Sequence, residues 1–272
     1  MGAIEGPVVL EPADIAQAME LSAEAGWNQL PADWRLFMAH GKVFGLLDGD
    51  VLAATAAIMP YGDDVAWIGM VLTRKDRRGR GHGTALLKTC IAELEALGRT
   101  ALLDATPAGE PLYRSLGFED GERFTRWQGM GGGDVATAPG VADPTALMAA
   151  NAAFGADRTP LLVDFSARCP AARQSAPQGA AHAFGRDGRI ATQIGPVVST
   201  DEAAVADLVG KVIAALDGPV FLDAADRCPL LTERLRALGF ARQRPFLRMK
   251  KGPRPAPGRA GETAVIAGPE FG

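Results

Sequence analysis

The stretch Val71-Leu72-Thr73-Arg74-Lys75-Asp76-Arg77-Arg78-Gly79-Arg80-Gly81-His82-Gly83-Thr84 governs how the rest of the chain reads. An apolar, strand-like run gives way to five cations and one anion, turns on glycines, and opens a helix. In that helix Ala85, Leu86, Leu87, Cys90, Ile91, Leu94 and Leu97 form one apolar stripe, and Gly98 is a natural terminator. Helix N-termini leave amides unpaired and carry the positive end of the macrodipole, so this junction suits an anion. Glycines let the backbone approach a pyrophosphate closely, and Arg77, Arg78 and Arg80 offer charge-assisted contacts to phosphate oxygens. Two familiar phosphate loops are excluded. The dinucleotide fingerprint needs a third glycine where Thr84 stands, and a P-loop needs a lysine before Thr84.

Working outward, residues 14–25 have helical apolar spacing, and Pro31 opens a second helix carrying Trp34, Phe37 and Met38. Residues 42–47 and 51–59 flank Asp48-Gly49-Asp50 as a hairpin, and residues 65–72 form a further strand. Beyond the central helix come a short buried strand at 101–103, a helix at 109–116 closed by Gly117, and a strand at 123–128. Gly129-Met130-Gly131-Gly132-Gly133 reads as a flexible linker, extending to Val141. The expected domains are therefore residues 1–133 and 134–272.

The second half repeats the first. Ile68-Gly69-Met70-Val71 matches Ile194-Gly195-Pro196-Val197, and Leu102-Leu103-Asp104-Ala105 matches Phe221-Leu222-Asp223-Ala224. Tyr113-Arg114-Ser115-Leu116-Gly117-Phe118 matches Leu235-Arg236-Ala237-Leu238-Gly239-Phe240 in the same order, which points to a duplicated fold.

Composition bounds the function. The 272 residues are 47% hydrophobic, enough to form two cores and too much for a disordered chain. No apolar run approaches the roughly 20 residues of a membrane span, and the N-terminus lacks the basic head and apolar core of a signal peptide. Three well-separated cysteines suit a reducing compartment, so a cytoplasmic protein is expected. A net charge of −4 argues against nucleic acid as a partner, and no Cys/His cluster has metal-ligand spacing. The expected assembly is a monomer or homodimer, with no membrane partner.

The segment Arg78-x-x-Gly81-x-Gly83 between strand and helix, followed about 30 residues later by Tyr113 and Leu116-Gly117-Phe118, resembles the GNAT superfamily of acyl-CoA-dependent N-acyltransferases. The resemblance covers residues 1–128 in element order as well as motif, and the second half resembles a degenerate copy. It implies an α+β fold with a mixed sheet: two tandem GNAT-like domains, each a mostly antiparallel twisted sheet flanked by helices. It implies acetyl-CoA as co-substrate, no metal, and a small-molecule amine as acceptor.

Under that resemblance Met70, Val71, Leu72 and Thr73 would pair with the pantetheine arm. Arg78, Gly79, Arg80, Gly81, His82, Gly83 and Thr84 would hold the pyrophosphate, and Lys75 could reach the 3′-phosphate. Tyr113 would protonate the departing thiolate, or else is a packing residue on its helix. Trp27, Asn28 and Gln29 would line the acceptor site, or else serve core packing and turn chemistry.

The sequence departs from the family pattern at the general base. Ala66-Trp67-Ile68-Gly69-Met70 holds no carboxylate, which leaves Asp63, Asp64, Asp104 or a water relay. Where the second copy should carry its phosphate loop it reads Thr200-Asp201-Glu202-Ala203-Ala204-Val205-Ala206-Asp207, without glycine and with three carboxylates. Leu235 replaces the tyrosine. Catalysis is expected in the first copy alone. The alternatives are a non-catalytic acyl-CoA-binding sensor and an interaction protein whose two domains only pair.

Overall fold

The computed structural model of the chain describes residues 4–133 and 143–272. Contacts divide it into two units, Met1–Leu103 with Lys250–Ala256 and Asp104–Met249 with Pro257–Gly272.

In the first unit β1 (Ile4–Val9) leads through a 3-10 turn to α1 (Ile15–Glu24) and α2 (Pro31–His40). After these come β2 (Lys42–Asp48), β3 (Val51–Tyr61), β4 (Val65–Thr73), α3 (His82–Ala96) and β5 (Thr100–Ala105), whose last two residues fall in the second unit. Pro31 and Asp33 start α2: proline needs no donor there, and the Asp33 carboxylate accepts the Leu30 amide at 2.7 Å. Trp34 and Phe37 are fully buried, and the Trp34 indole donates to Ser22 Oγ at 3.1 Å. Of the stripe read in α3, Leu86, Leu87, Cys90, Ile91 and Leu94 form its buried face, while Ala85 and Leu97 are exposed.

The strands run β1-β2-β3-β4-β5, antiparallel up to β4. β4 and β5 are parallel and meet only at Val65↔Thr100, Ala66↔Ala101 and Trp67↔Leu102. Past Trp67, no strand among the described residues pairs with that edge of β4. β1 was not foreseen from sequence: Gly6-Pro7 breaks its alternation, and the register with β2 slips between Glu5 and Val8.

The second unit continues with α4 (Glu110–Ser115), β6 (Glu119–Met130), α5 (Pro144–Phe154), α6 (Thr159–Arg168), β7 (Gln174–Ser175) and β8 (His182–Arg186). It ends with β9 (Thr192–Val198), α7 (Glu202–Ala215), β10 (Pro219–Ala225), α8 (Pro229–Ala237), β11 (Ala241–Lys251) and β12 (Thr263–Ile266). Its strand order is β11-β6-β10-β12-β9-β8-β7, with a further parallel pairing of β9 and β10. Val209, Val212, Leu222, Phe246 and Ile266 lie at the centre of its core.

The three sequence matches fall on corresponding elements, β4 with β9, β5 with β10, and α4 with α8. Their registers also correspond: Trp67 faces Leu102 as Gln193 faces Phe221. The last strand of the first repeat is not packed locally. β6 runs antiparallel to β10, from Met130↔Pro219 to Phe124↔Ala225.

Two ion pairs, one buried and one partly buried, fasten this exchange. Arg126 on β6 grips Asp223 on β10 with both contacts at 2.8 Å, while Arg248 on β11 grips Asp104 at 2.9 and 3.0 Å. Arg126 also lies 5.3 Å from the ring centres of both Phe221 and Phe246, and Arg248 lies 4.8 Å from that of Phe124.

The glycine run expected to be flexible is packed instead. The amides of Gly131, Gly132 and Gly133 donate to the carbonyls of Gly218, Ile213 and Leu216 at 2.8, 3.0 and 2.9 Å, and Gly129 sits against the Phe240 ring. Here glycine serves close approach rather than freedom. The rest of the expected linker, to Val141, lies outside the described residues. All three cysteines are free and buried, and burial pushes the Cys90 thiol up to about 12. No helix among the described residues is long and apolar enough to cross a membrane.

Candidate active site

The loop between β4 and α3 is held from two sides. Two carboxylates of α1 fasten its entry: Glu20 pairs with Arg74 at 2.8 Å, and Glu24 accepts the Lys75 amide at 2.8 Å. Arg77 pairs with Asp48 at 2.9 Å and with Asp76 at 2.6 Å. This corrects the expectation that Arg77 serves phosphate, because its charge is already matched. Arg78 and Arg80 are exposed, and their described contacts are to backbone carbonyls, Thr73 O and Asp76 O, each at 3.2 Å. The local charge excess read from sequence therefore narrows to Lys75, Arg78 and Arg80.

α3 begins on Gly81, whose φ of +80° puts the chain in the left-handed region, and no side chain caps the helix. Its first amides, around His82, Gly83 and Thr84, are left to an outside acceptor. Open space surrounds the place a Cβ would take on Gly79 and Gly81, so nothing of the chain fills the turn. His82 Nε2 is buried and has no hydrogen-bond partner among the described residues. Uncapped amides, an unpartnered imidazole nitrogen and two exposed guanidinium groups fit a diphosphate.

The strand leading into the loop is bulged. Between the pairs Ala57↔Gly69 and Thr55↔Leu72, Met70 and Val71 together oppose Ala56. Met70 has φ +53°, unusual for a residue with a side chain, and its carbonyl accepts the buried Thr55 hydroxyl at 2.8 Å. The Met70 and Leu72 side chains point into the core, so only their backbone is left for a ligand. Thr55 was missed from sequence, although one hydroxyl in Ala53-Ala54-Thr55-Ala56-Ala57 was a signal available to be read.

Between α1 and α2, Asn28 and Gln29 are both 4% exposed and Trp27 is half-buried. Gln29 Oε1 is buried with no donor among the described residues, a carbonyl suited to an N–H ligand.

In the second unit Tyr113 is half-buried on α4, its ring edge-on to Phe118 at 5.8 Å. Gly109 makes room for it, since a Cβ there would come within 2.8 Å of Tyr113 Cε2. Each candidate carboxylate faces an arginine, Asp104 in the interior and the other two at the surface. Asp63 and Asp64 are exposed and pair with Arg99 at 3.6 Å and Arg254 at 2.9 Å. Burial pushes the Asp104 carboxyl up, and the Arg248 guanidinium opposes that shift. Among the described residues no cluster of His, Cys, Asp and Glu could hold a metal.

The second copy closes the corresponding helix start on itself. Asp201 caps α7, its carboxylate accepting the amides of Ala203 and Ala204 at 3.0 and 3.1 Å. The place of an incoming anion is taken by an internal one.

Comparison with known proteins agrees with this geometry. The acetyltransferase (GNAT) family model matches residues 13–118, and a second acetyltransferase (GNAT) domain model matches residues 148–263. An uncharacterized N-acetyltransferase of Bacillus subtilis, YitH, is 24% identical over 256 residues, covering 88% of this chain and 89% of that one. A Pyrococcus horikoshii structure, provisionally assigned as an acetyltransferase, superposes with TM-score 0.80 at 17% identity over 99% of this chain and 95% of that one. A tandem GNAT protein from the clavulanic acid biosynthesis pathway does so with TM-score 0.62 at 14% identity, over 93% and 99%. The chain thus belongs to the GNAT acetyltransferase family and is built as two tandem copies of its fold.

Proposed function

We propose that the protein is an N-acetyltransferase whose first copy takes acetyl-CoA and passes the acetyl group to the amine of a small molecule. The observation that carries this reading is the uncapped start of α3 at Gly81, beside the unpaired edge of β4. The amides around His82, Gly83 and Thr84, with Arg78 and Arg80, would hold the diphosphate. The backbone of residues 70–73, held in its bulge by Thr55, would pair with the pantetheine arm as an added strand.

An alkyl ammonium has a pKa near 10.4, so the acceptor must lose a proton before its nitrogen attacks the thioester carbonyl. Arg248 holds Asp104, and Asp63 and Asp64 lie exposed in surface pairs, so that proton goes to water. The carbon–sulfur bond breaks as the carbon–nitrogen bond forms, and Tyr113, by the family pattern, protonates the thiolate. Gln29 Oε1 would accept an N–H of the acceptor, with Asn28 and Trp27 beside it.

Isothermal titration with acetyl-CoA, followed by assay of free CoA against a panel of amines, tests the reading. Binding at one site per chain and amine-dependent thiol release are expected, and no binding would overturn it. A second reading, an acyl-CoA sensor without turnover, is favoured by the absence of a carboxylate from Ala66-Trp67-Ile68-Gly69-Met70. Tight binding with no thiol release from any amine would select it.

A further inference from the structure

The second copy also has splayed parallel strands, but its gap is filled. β9 and β10 pair at Thr192↔Val220, Gln193↔Phe221 and Ile194↔Leu222, then diverge. Into the divergence comes β12, antiparallel to both, facing β9 at Thr263↔Val198 and Val265↔Val197 and β10 at Val265↔Ala224 and Ile266↔Asp223. This chain segment adds itself to two strand edges, as a bound peptide does in strand augmentation.

The residues beyond β12 are held as specifically as a ligand. Residues 264–268 and 270–272 are buried. Arg186, itself 1% exposed, pairs with Glu270, and its guanidinium lies 5.5 and 5.4 Å from the rings of Phe165 and Phe271. Phe271 is fully buried, edge-on to Phe165 at 5.6 Å. Arg158, also 1% exposed, donates to the Gly272 oxygen at 2.6 Å.

The receiving side is shaped for this approach. Gly195 has φ +142°, and a Cβ there would overlap the Ile266 carbonyl oxygen. The Phe165 face, the Arg186 charge and the missing Cβ at Gly195 form one complementary surface.

We propose that the splayed strands of the second copy form a peptide-binding cleft, and that residues 263–272 are its ligand, supplied by the chain itself. The cleft takes an extended aliphatic strand followed by a turn that presents an acidic and then an aromatic side chain. The second copy has thereby exchanged one class of ligand for another.

The test cuts the tail after folding. A protease site inserted between Pro255 and Ala256, in an exposed segment, separates residues 256–272 from the body. The cut tail is expected to stay with the body through gel filtration and to exchange with excess labelled synthetic peptide of residues 263–272. A peptide carrying Glu270→Ala should compete about a hundredfold less well, because it removes the carboxylate that meets the buried Arg186 guanidinium. Prompt loss of the tail with an unchanged thermal midpoint would overturn the proposal, as would equal competition by the two peptides. If loss of the tail unfolds the body, recovery of the midpoint on adding the synthetic peptide supports the cleft, and failure to recover sinks it.

Discussion

The two copies treat matching places in opposite ways. In the first, the central helix starts on a left-handed glycine with no side-chain cap, and no described strand covers the edge of β4 past Trp67. In the second, Asp201 caps the helix and β12 covers the edge. One fold offers two features a coenzyme needs, amides for phosphate and a strand edge for its arm, and each can be cancelled locally. A carboxylate cancels the first and ten residues of chain cancel the second.

The two ion pairs allow the comparison to be broken most forcefully. Asp223→Ala should cost about 3–5 kcal/mol in urea denaturation, because it strands the Arg126 charge. Asp104→Ala should cost less, since the Arg248 side chain is 17% exposed against 5% for Arg126. Equal losses would mean that burial does not set the difference.

Next in size is Gly195→Ala. Its methyl would collide with the Ile266 carbonyl, and a loss of about 3 kcal/mol is expected. In a variant lacking residues 263–272 the same substitution should cost less, leaving only the strain of a side chain at φ +142°, and an unchanged cost would separate Gly195 from the tail.

The helix starts give a sharper but smaller contrast. Arg78→Glu should weaken acetyl-CoA binding by at least about tenfold, read by calorimetry, as one charge-assisted contact becomes repulsive. Asp201→Ala should cost about 1 kcal/mol of stability and leave the stoichiometry at one coenzyme per chain. Two sites in that variant would show that the cap alone disables the second copy.

The smallest effect is a pH dependence confined to the second copy. Burial holds His182 below its ordinary value of 6.5, with Asp143 opposing, and its Nδ1 lies 2.8 Å from Ser175 Oγ. A base with a lowered folded pKa favours the native state above pH 6.5, and that contribution is lost as pH falls through the folded value. The melting midpoint of His182→Gln should therefore fall less steeply with acid than that of the parent.

Local signals in the sequence carried far. The apolar stripe from Leu86 to Leu94, the Asp48-Gly49-Asp50 hairpin and the glycine–arginine loop each report on neighbours within a few residues, and the structure has them where they were read. The three repeat matches disclosed the duplication.

Partners distant along the chain were illegible. Nothing near Arg126 announces Asp223, and nothing in residues 263–272 announces β9. Gly129-Met130-Gly131-Gly132-Gly133 misled because composition cannot distinguish a glycine that moves from one pressed against a ring or carbonyl. At the site, Arg77 was overcounted because its match, Asp48, lies 29 residues earlier.

The exchanged strands also bear on inheritance. Once β6 carries an arginine that Asp223 grips, and Asp104 is gripped by Arg248, losing either half leaves a poorly matched charge in the interior of the other. A duplicate whose helix start is capped from within is then needed for folding, and losing it would destabilise the copy that remains.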